Sequence, residues 1–386
     1  MARRNIWRRI LRIFLVFCTI VTALGTAAGA YGGDLPPTQY RYFCLMVMTF
    51  PMWLGALILF TLLDIFFCRK ALFISIVTFV ACGSAIWEYS PLNIFPPSAS
   101  RYENCPKFTL LSFNAMNFIP IDSVYPGGMN PTISYILSTD ADVVCLQEGS
   151  LLSGKEVIPP VRPAVQVDSL FRRYPYVLSN GRTQLLLSKY PAKTLSTGYT
   201  NAKNNEIAVY RLTIDGTAIT LMNVHLEPYH LRNEDKQLYR NLTDMKNIRG
   251  DIKDNFKDIR FQLLHKIQAS AEAREYDAER LGAYITRLGG PNIIITGDFN
   301  DVPGCYTLRR LADFRMKQVY PEVGFGPMIT YYANRFYFRI DHTLYRGDLQ
   351  PLRMWRGKKR LSDHYPLMTT FAITGNDTDA QQSGTK

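Results

Sequence analysis

The sequence predicts a layered α/β domain that follows an apolar N-terminal region. The first hundred residues contain long uncharged runs, whereas the remainder alternates between apolar and polar residues like a globular domain. From Lys107 onward, short runs rich in β-branched and aromatic residues recur, each followed by a polar residue, as is typical of buried strands. With 386 residues, the chain is long enough for two structural units.

Three apolar segments in the N-terminal region approach the roughly 20 residues needed to cross a bilayer. They are Ile13 to Tyr31, Tyr42 to Leu63 and Ala71 to Trp87. Arginines precede the first segment, and Arg69 and Lys70 lie between the second and the third. Because basic residues favour the cytoplasmic side, we expect an integral membrane protein with a cytoplasmic N-terminus and an extracytoplasmic main domain.

Two alternatives to three membrane spans are open. The first apolar segment ends in Ala27-Ala28-Gly29-Ala30 and follows arginines, so it also fits a cleaved signal peptide. Cleavage leaves the main domain on the same side of the membrane. The other alternative is that the three segments are buried helices of a soluble protein.

Charge and cysteine content restrict the function classes. The chain carries a net charge of +12, of which +7 belongs to residues 101–386, and a basic excess suits an anionic partner such as a phosphate ester. Cys105, Cys145 and Cys305 are the cysteines of the globular part, and they form no close-spaced pair. This argues against a zinc site or a disulfide-dense scaffold and leaves room for one disulfide.

The predicted strands are followed by residues that suit a catalytic rim. The apolar runs are 108–113, 141–146, 218–224, 292–296 and 336–340, and the polar residues behind them include Asn114, Glu148, His225, Asp298, Asn300 and Asp341. In layered α/β folds, the loops beyond the carboxyl ends of strands commonly form the active site. We therefore expect these side chains to meet at one rim.

Six short motifs give the chain a specific family resemblance. In order, they are Ser112-Phe113-Asn114, Leu146-Gln147-Glu148, Asn223-Val224-His225-Leu226, Gly297-Asp298-Phe299-Asn300, Arg339-Ile340-Asp341-His342 and Ser362-Asp363-His364-Tyr365-Pro366. The set, which lies within residues 107–372, resembles the endonuclease/exonuclease/phosphatase superfamily. Its members include pancreatic-type deoxyribonuclease, abasic-site endonucleases, neutral sphingomyelinases and inositol polyphosphate phosphatases. The resemblance implies a four-layer α/β-β/α sandwich of two mixed sheets with helices outside.

The resemblance also implies a divalent-metal site. Hard oxygen ligands select Mg²⁺, with Mn²⁺ or Ca²⁺ as alternatives, rather than zinc. Glu148 is expected to be the first metal ligand, with Asp363 beside it and Asn114 at the metal or phosphate rim.

Catalytic roles follow from the same resemblance. Asp298 is expected to orient or deprotonate the attacking water, and Asn300 to donate hydrogen bonds to the phosphoryl oxygens. Asp341 is expected to pair with His364, which raises the basicity of the imidazole or steadies the imidazolium. His225 is expected to contact the phosphate or to serve as general acid. Substrate contacts are thus expected from Asn114, His225 and Asn300.

Other polar residues receive weaker interpretations. Glu206, which opens a predicted strand at 207–213, is a candidate to orient His225. We interpret His342 as structural, and His230 and His265 as surface residues.

Two further stretches distinguish the sequence. An insertion-like stretch between His225 and Gly297 is typical of helices over 234–249 and 254–288, either a solvated outer layer or a contact with substrate or membrane. A basic cluster precedes the last motif and consists of Arg353, Arg356, Lys358, Lys359 and Arg360, with Trp355 between them. It fits nucleic acid or a lipid headgroup, or else an ordinary exposed hairpin.

These observations predict a transmembrane region of about three helices over 1–88, a Pro-containing linker over 89–106, a catalytic domain over 107–374 and a disordered tail over 375–386. The expected activity is metal-dependent phosphodiester hydrolysis, with nuclease-type substrates slightly favoured. The alternatives are a phospholipid or sphingomyelin phosphodiesterase, an inositol-phosphate-type phosphatase and a non-catalytic membrane-anchored binding module. Expected partners are a phosphoester substrate (nucleic acid or lipid headgroup) and the membrane, with no obligate protein partner.

Overall fold

The globular part contains two six-stranded mixed sheets. The computed structural model describes residues 2–95, 97, 99–119, 129–149, 164–179, 183–196, 206–230, 256–333 and 337–375. The first sheet comprises β1 (Lys107–Asn114), β2 (Val143–Gln147), β3 (Tyr176–Ser179), β4 (Leu185–Ser188), β11 (Leu349–Arg356) and β12 (Leu367–Ile373), in the order β11-β12-β1-β2-β4-β3. The second comprises β5 (Ala192–Ser196), β6 (Glu206–Ile214), β7 (Thr217–His225), β8 (Asn292–Asp298), β9 (Lys317–Gln318) and β10 (Asp341–Arg346), in the order β5-β6-β7-β8-β10-β9.

Helices cover the outer face of each sheet. Helices α6 (Pro131–Thr139) and α7 (Ala164–Arg173) pack on the first sheet, and α8 (Phe256–Leu288) and α9 (Tyr306–Ala312) pack on the second. A short helix, α10 (Tyr320–Val323), follows β9. Because both faces of the central strands are covered, β2 and β8 are buried along their whole length, which explains their continuous apolar runs. The four-layer α/β-β/α sandwich is confirmed.

The core between the sheets is built from apolar residues of both inner faces. Phe108 and Phe371 of the first sheet stack with their ring centroids 5.5 Å apart and belong to the same buried cluster as Tyr210, Leu221 and Ile294 of the second. Local signals fix the outer helices as well. The side chain of Asn130 accepts hydrogen bonds from the backbone N–H groups of residues 132 and 133 and so caps α6, which begins with a proline.

One predicted strand is wrong in its position. Residues 337–340 form no regular strand, and β10 begins at Asp341. The hydroxyl of Thr330 accepts hydrogen bonds from the backbone N–H groups of Ile340 and Asp341 at 3.0 and 3.1 Å, and Phe338 forms only an isolated bridge with Tyr331, so no continuous ladder forms here. Asp341 therefore lies at the amino end of a strand. It still reaches the expected rim, because β10 runs antiparallel to β8 and places Asp341 opposite Asp298.

Only one of the two predicted insertion helices lies among the described residues. The expected helix over 254–288 corresponds to α8, whereas the one over 234–249 lies outside the described residues. The same holds for residues 376–386 of the expected tail. The domain boundaries given above remain predictions.

Within the described residues 2–95, the N-terminal region forms five α-helices. They are α1 (Ala2–Tyr31), α2 (Phe43–Met48), α3 (Phe50–Phe67), α4 (Leu72–Ala81) and α5 (Gly83–Tyr89). Two segments of the described chain, Ile6–Asp34 and Phe50–Phe67, are long and apolar enough to cross a membrane, with mean hydropathies of 2.1 and 2.0. The expected third span is bent by 64° between α4 and α5, and the pair counts as a further span only if both helices cross together.

The end of α5 is bound to the globular domain through Glu88. Its buried carboxylate accepts hydrogen bonds from the backbone N–H of Gly304 at 2.8 Å and from the side chain of Gln318 at 2.7 Å, and it lies 3.1 Å from Nη2 of Arg309. The Glu88 carbonyl accepts a hydrogen bond from Arg339 at 2.6 Å. The N-terminal helices are thus packed against the loops that follow β8 and precede β10.

The end of α1 approaches the same loop. A Cβ atom placed on Gly33 would lie 1.7 Å from the carbonyl oxygen of Gly304, so only glycine permits this contact. Val47 of α2 packs with Val302 and Ile340 in one small apolar cluster.

We expect Glu88→Ala to destabilise the full-length chain by at least about 2 kcal/mol, because it leaves the buried N–H of Gly304 and the half-buried amide of Gln318 without their charged acceptor. The measurement is thermal unfolding in detergent. Glu103→Ala, at an exposed glutamate, is the matched control and is expected to change stability by less than about 0.5 kcal/mol. Equal, small effects of both substitutions would show that the contact contributes nothing.

Candidate active site

The carboxylate of Asp298 is the common partner of three polar side chains. Its Oδ2 accepts a hydrogen bond from Nδ2 of Asn114 at 3.1 Å and lies 3.5 Å from Nε2 of His364 and 3.7 Å from Nε2 of His225. Asp298 is only 1% exposed. Such a buried charge is tolerated where opposite charges and hydrogen-bond donors surround it.

Strand register brings these residues together. In the second sheet, Asp298 of β8 is paired with His225 of the parallel strand β7 and with Asp341 of the antiparallel strand β10. Gly297 has a φ of 145°, and a Cβ there would lie 2.0 Å from the carbonyl oxygen of Val224, so glycine is required for the strands to approach at this point. Asn114 comes from the other sheet, at the carboxyl end of β1.

The loop after β8 orients Asp298 and Asn300 together. The backbone N–H of Asn300 donates to Oδ1 of Asp298 at 2.8 Å, and the Asn300 side chain donates to the carbonyl of Leu226 at 2.9 Å. Asn300 has a φ of 51°, the left-handed region that asparagine tolerates better than most residues. Its amide is thereby held within the group formed around Asp298.

His364 and Asp341 form a buried pair. Nδ1 of His364 lies 2.9 Å from Oδ2 of Asp341, and the ring of Tyr331 contacts the imidazole edge-on with centroids 4.9 Å apart. Burial alone would lower the pKa of His364, but the carboxylates of Asp341 and Asp298 outweigh it and raise the pKa to about 10. His364 is therefore an imidazolium at neutral pH, with Nδ1–H donated to Asp341 and Nε2–H directed at Asp298.

The ionisation of Asp298 responds to the same surroundings. Burial raises the pKa of this carboxyl, the charge of His364 opposes that change, and the charge of Asp341 adds to it. A carboxylate with a raised pKa is a stronger base than an exposed aspartate.

Glu148 lies at the open side of the group. Its Oε1 accepts a hydrogen bond from Nδ2 of Asn114 at 3.0 Å and lies 3.9 Å from Nε2 of His225, and its side chain is 32% exposed. Glu148 has a φ of 48°, a conformation that is uncommon outside glycine and tends to occur at functional sites. The structure thus brings Asn114, Glu148 and His225 together on one side of Asp298, opposite the His364–Asp341 pair.

The donor chemistry beside Glu148 fits a hard divalent cation. The carboxylates of Glu148 and Asp298 are both within reach of one amide, that of Asn114, and oxygen ligands of this kind suit Mg²⁺, Mn²⁺ or Ca²⁺. Among the described residues, Asp298, Asp341 and His364 also lie close enough together to hold a metal ion. In this trio, Nδ1 of His364 and Oδ2 of Asp341 are bonded to each other at 2.9 Å, so we interpret it as a hydrogen-bonded network.

Asp363 has its own local partner. The hydroxyl of Ser362 donates to Oδ1 of Asp363 at 3.1 Å, and the backbone carbonyl of Asp363 accepts from Tyr332 at 3.2 Å. Its expected role as a second metal ligand stays a prediction.

The interpretation of Glu206 as a partner of His225 is wrong. Glu206 lies opposite His225 in the β6–β7 pair, but its carboxylate accepts a hydrogen bond from the hydroxyl of Thr183 at 2.7 Å. Within the described chain, Nδ1 of His225 is buried without a hydrogen-bond partner. Although the side chains of directly paired residues lie side by side, the Glu206 carboxylate forms no hydrogen bond with the His225 imidazole.

A buried amide network beneath the site was missed at the sequence level. Nε2 of Gln147 donates to Oδ1 of Asn223 at 2.6 Å, and Nδ2 of Asn223 donates to the carbonyl of Leu146 at 3.0 Å, so the two sheets are bonded to each other next to Glu148 and His225. Gln147 and Asn223 both lie in the motifs that indicate the family. Their side chains are completely buried, and a buried amide requires hydrogen-bond partners, which each finds here in the opposite sheet. The available signal was that each is a polar residue in an otherwise apolar strand.

The remaining histidines lie outside the site, as expected. His342 is buried with its Nε2 2.9 Å from the carbonyl of Asp301, and its ring contacts Phe299 edge-on. His230 and His265 are exposed. Burial, and next the charge of Arg339, lower the pKa of His342 to about 3.

The buried imidazole of His342 gives a pH-dependent stability with a defined sign. Its pKa is depressed in the folded chain, whereas the unfolded chain takes up a proton near the ordinary value of 6.5, so stability is lost as the pH falls below 6.5 toward 3. The expected slope in this window is about 1.4 kcal/mol per pH unit. We expect His342→Gln to remove this pH-dependent part of the stability. The measurement is the difference in unfolding free energy between parent and variant, followed from about pH 7.5 to about pH 5. A difference that does not change with pH would contradict the assignment.

Comparisons with known proteins agree with this geometry. The family model described as Endonuclease/Exonuclease/phosphatase family matches residues 111–364, and a model described as a domain of unknown function matches residues 11–89. A comparison with curated protein sequences finds no match.

Solved structures of this fold are similar at low identity. A humanized D. rerio TDP2 is 17% identical with a TM-score of 0.40, covering 69% of this chain and 98% of that one. The human Nocturnin catalytic domain is 14% identical with a TM-score of 0.44, covering 70% and 96%. An endonuclease/exonuclease/phosphatase family protein from Leptotrichia buccalis is 12% identical with a TM-score of 0.45, covering 68% and 99%.

The matched range contains every motif residue of the site from Asn114 to His364, and those residues surround one buried carboxylate. The chain belongs to the endonuclease/exonuclease/phosphatase family of divalent-metal-dependent phosphoester hydrolases.

Proposed function

We propose that the chain hydrolyses phosphodiester bonds, with Mg²⁺ as its metal and nucleic acid as its favoured substrate class, in a domain tethered to the extracytoplasmic side of a membrane. The observation that supports the activity is the convergence on the Asp298 carboxylate of His364 at 3.5 Å, His225 at 3.7 Å and Asn114 at 3.1 Å. Residues from both sheets meet there around one buried acid.

Glu148, with Asn114 beside it, is the proposed holder of the cation. When bound, the cation neutralises charge on the phosphoryl oxygens and stabilises the leaving oxygen. Asp363 is proposed as a further ligand by family resemblance.

Asp298 is proposed to orient the attacking water and to accept its proton. Its raised pKa makes it a better base, and the hydrogen bond from the backbone N–H of Asn300 keeps its second oxygen fixed. The side-chain amide of Asn300 has a further N–H for a phosphoryl oxygen.

His364 is proposed to stabilise the negative charge that develops on the phosphoryl group. It is held as an imidazolium by Asp341 at 2.9 Å, so it supplies a fixed positive charge beside Asp298, where Nε2 lies 3.5 Å from Oδ2. His225 presents Nε2 from the other side of Asp298, close to Glu148, and is proposed to contact the phosphate or to protonate the leaving oxygen.

The proposed orientation in the membrane rests on the ends of the helices. The globular domain contacts the end of α1, the short helix α2 and the end of α5. The N-terminal arginines and the Arg69-Lys70 turn lie at the opposite ends of α1, α3 and α4. Because basic residues favour the cytoplasmic side, the domain is proposed to be extracytoplasmic.

Nucleic acid is favoured by a basic strip on the edge strand β11 and the loop that follows. The strip consists of the exposed residues Arg353, Arg356, Lys358, Lys359 and Arg360. Arg356 lies over the ring of Tyr365 at 4.1 Å and Arg360 over that of Tyr332 at 5.0 Å, and the two tyrosine rings are 4.6 Å apart. Exposed cations beside His364, held in place by the tyrosine rings beneath them, suit a backbone of phosphates.

A membrane phospholipid is the second candidate. Val47 of α2 packs with Val302 and Ile340, which flank Asn300 and Asp341 in the chain. The loops of the site therefore lie against the membrane helices, where a lipid headgroup is the nearest phosphodiester.

We expect Asp298→Asn to reduce hydrolysis of a phosphodiester by about 10²–10⁴-fold, because it removes the base, while the protein remains folded. Glu148→Gln is expected to raise the Mg²⁺ concentration needed for half-maximal activity by at least about tenfold, the loss typical of an altered metal site. The assay is turnover of bis(p-nitrophenyl) phosphate by purified full-length protein, with and without chelator. Asp313→Asn, at an exposed aspartate, is the control. Full activity of the Asp298 variant, or of the chelated parent, would refute the mechanism.

A second experiment separates the substrate classes. Replacing Lys358, Lys359 and Arg360 by alanine is expected to lower kcat/KM on single-stranded nucleic acid and to flatten its salt dependence by about 0.7 per charge removed, without affecting the small substrate. The control removes three exposed basic residues elsewhere, Lys193, Arg315 and Lys317. Turnover of phospholipid in vesicles, with none of DNA or RNA, would favour the second candidate instead.

A further inference from the structure

An exposed apolar patch follows directly on the last membrane-proximal helix. The patch consists of Leu92, Ile94, Phe95 and Phe325, each more than half exposed, with Phe95 at 91%. An exposed patch of large side chains on an otherwise well-packed domain indicates a surface that is covered in the working protein.

The backbone of the patch is ordered by hydrogen bonds. Leu92 and Phe325 form an antiparallel bridge, and the backbone N–H of Gly326 donates to the carbonyl of Pro91 at 2.7 Å. Nδ2 of Asn93 donates to the carbonyls of Gly324 and Pro321 at 2.8 and 3.1 Å. The polar side chain of Asn93 is thus bonded to the protein, while the apolar neighbours on either side of it are exposed.

This arrangement is the reverse of an ordinary water-facing segment. At a protein–water boundary, apolar side chains ordinarily turn inward and polar ones face the water. Here the side chain of Asn93 is hydrogen-bonded to the protein, whereas the side chains of Leu92 and Ile94 are exposed. The pattern suits a boundary with an apolar medium.

The position of the patch identifies that medium. The helix α5 ends at Tyr89, so Leu92 lies within about 11 Å and Phe95 within about 22 Å of its end even in a fully extended chain. Trp87, in the last turn of α5, donates from Nε1 to the carbonyl of Pro321 at 2.9 Å, and Trp and Tyr at the end of a span are typical of the membrane–water interface.

We infer that Leu92, Ile94, Phe95 and Phe325 rest in the interfacial layer of the membrane that holds α1 and α3, with Phe95 in contact with lipid. The inference rests on the proposed membrane insertion. The apolar patch then holds the globular domain at the bilayer in addition to its contacts with the N-terminal helices, so it cannot swing away from the surface.

The test places a dansyl-bearing amino acid, by stop-codon suppression, at one position of the full-length chain in nanodiscs. Position 95 reports on the patch. Ile58, exposed on α3, serves as the embedded reference, and Tyr176, at the start of β3 on the opposite edge of the first sheet, serves as the aqueous reference. Emission is compared between ordinary lipids and lipids with brominated acyl chains. At position 95, we expect a blue shift and a loss of intensity between those at positions 58 and 176.

The outcomes separate the inference from the proposal on which it rests. Quenching at position 58 with none at position 95 would overturn the membrane contact and leave the insertion intact. Absence of quenching at position 58 would overturn the insertion itself. A blue shift at position 95 that requires two copies per nanodisc, without quenching by bromine, would assign the patch to a second copy of the chain and also overturn the inference.

Discussion

The buried carboxylate of Asp298 is the interaction on which the site depends. A negative charge at 1% exposure is unfavourable unless donors and cations surround it, and here they come from strands β1 and β7, from the loop after β8 and from the segment before β12. The two sheets must face each other in one alignment for Asn114 and His364 to reach the same oxygen as His225. The fold and the catalytic group are therefore specified by the same set of contacts.

The alignment of the sheets is maintained by polar bonds as well as by the apolar core. The Gln147–Asn223 hydrogen bond of 2.6 Å crosses between the sheets directly beneath Glu148 and His225. An apolar core tolerates small shifts of one sheet over the other, whereas a buried amide pair loses its hydrogen bonds if the sheets slide. We interpret this pair as the element that fixes the distance between Glu148 of the first sheet and His225 of the second.

Much of the fold and of the site follows from the sequence, and the exceptions share one cause. The buried strands are recognisable because their apolar runs are local, and the residues that follow them are recognisable because the motifs are local. The start of β10 at Asp341 was not predictable from its own run, since it depends on the hydroxyl of Thr330, eleven residues away. The partner of Glu206 is Thr183 for the same reason. Bonds between distant residues leave no periodic pattern in the sequence.

The contacts of Glu88 are a further case of bonds between residues far apart in the sequence. They make the N-terminal region part of the structure that supports the site. A lone acid at the end of an apolar segment indicates only the end of a span, yet its partners lie more than two hundred residues later. Arg339, two residues before Asp341, is buried against the ring of Tyr320 and donates to the Glu88 carbonyl, and burial lowers the pKa of its guanidinium to about 10. Such a desolvated cation is acceptable only while the end of α5 covers it and supplies an acceptor. The apolar N-terminal helices are thus part of the structure that positions Asp341, and hence His364.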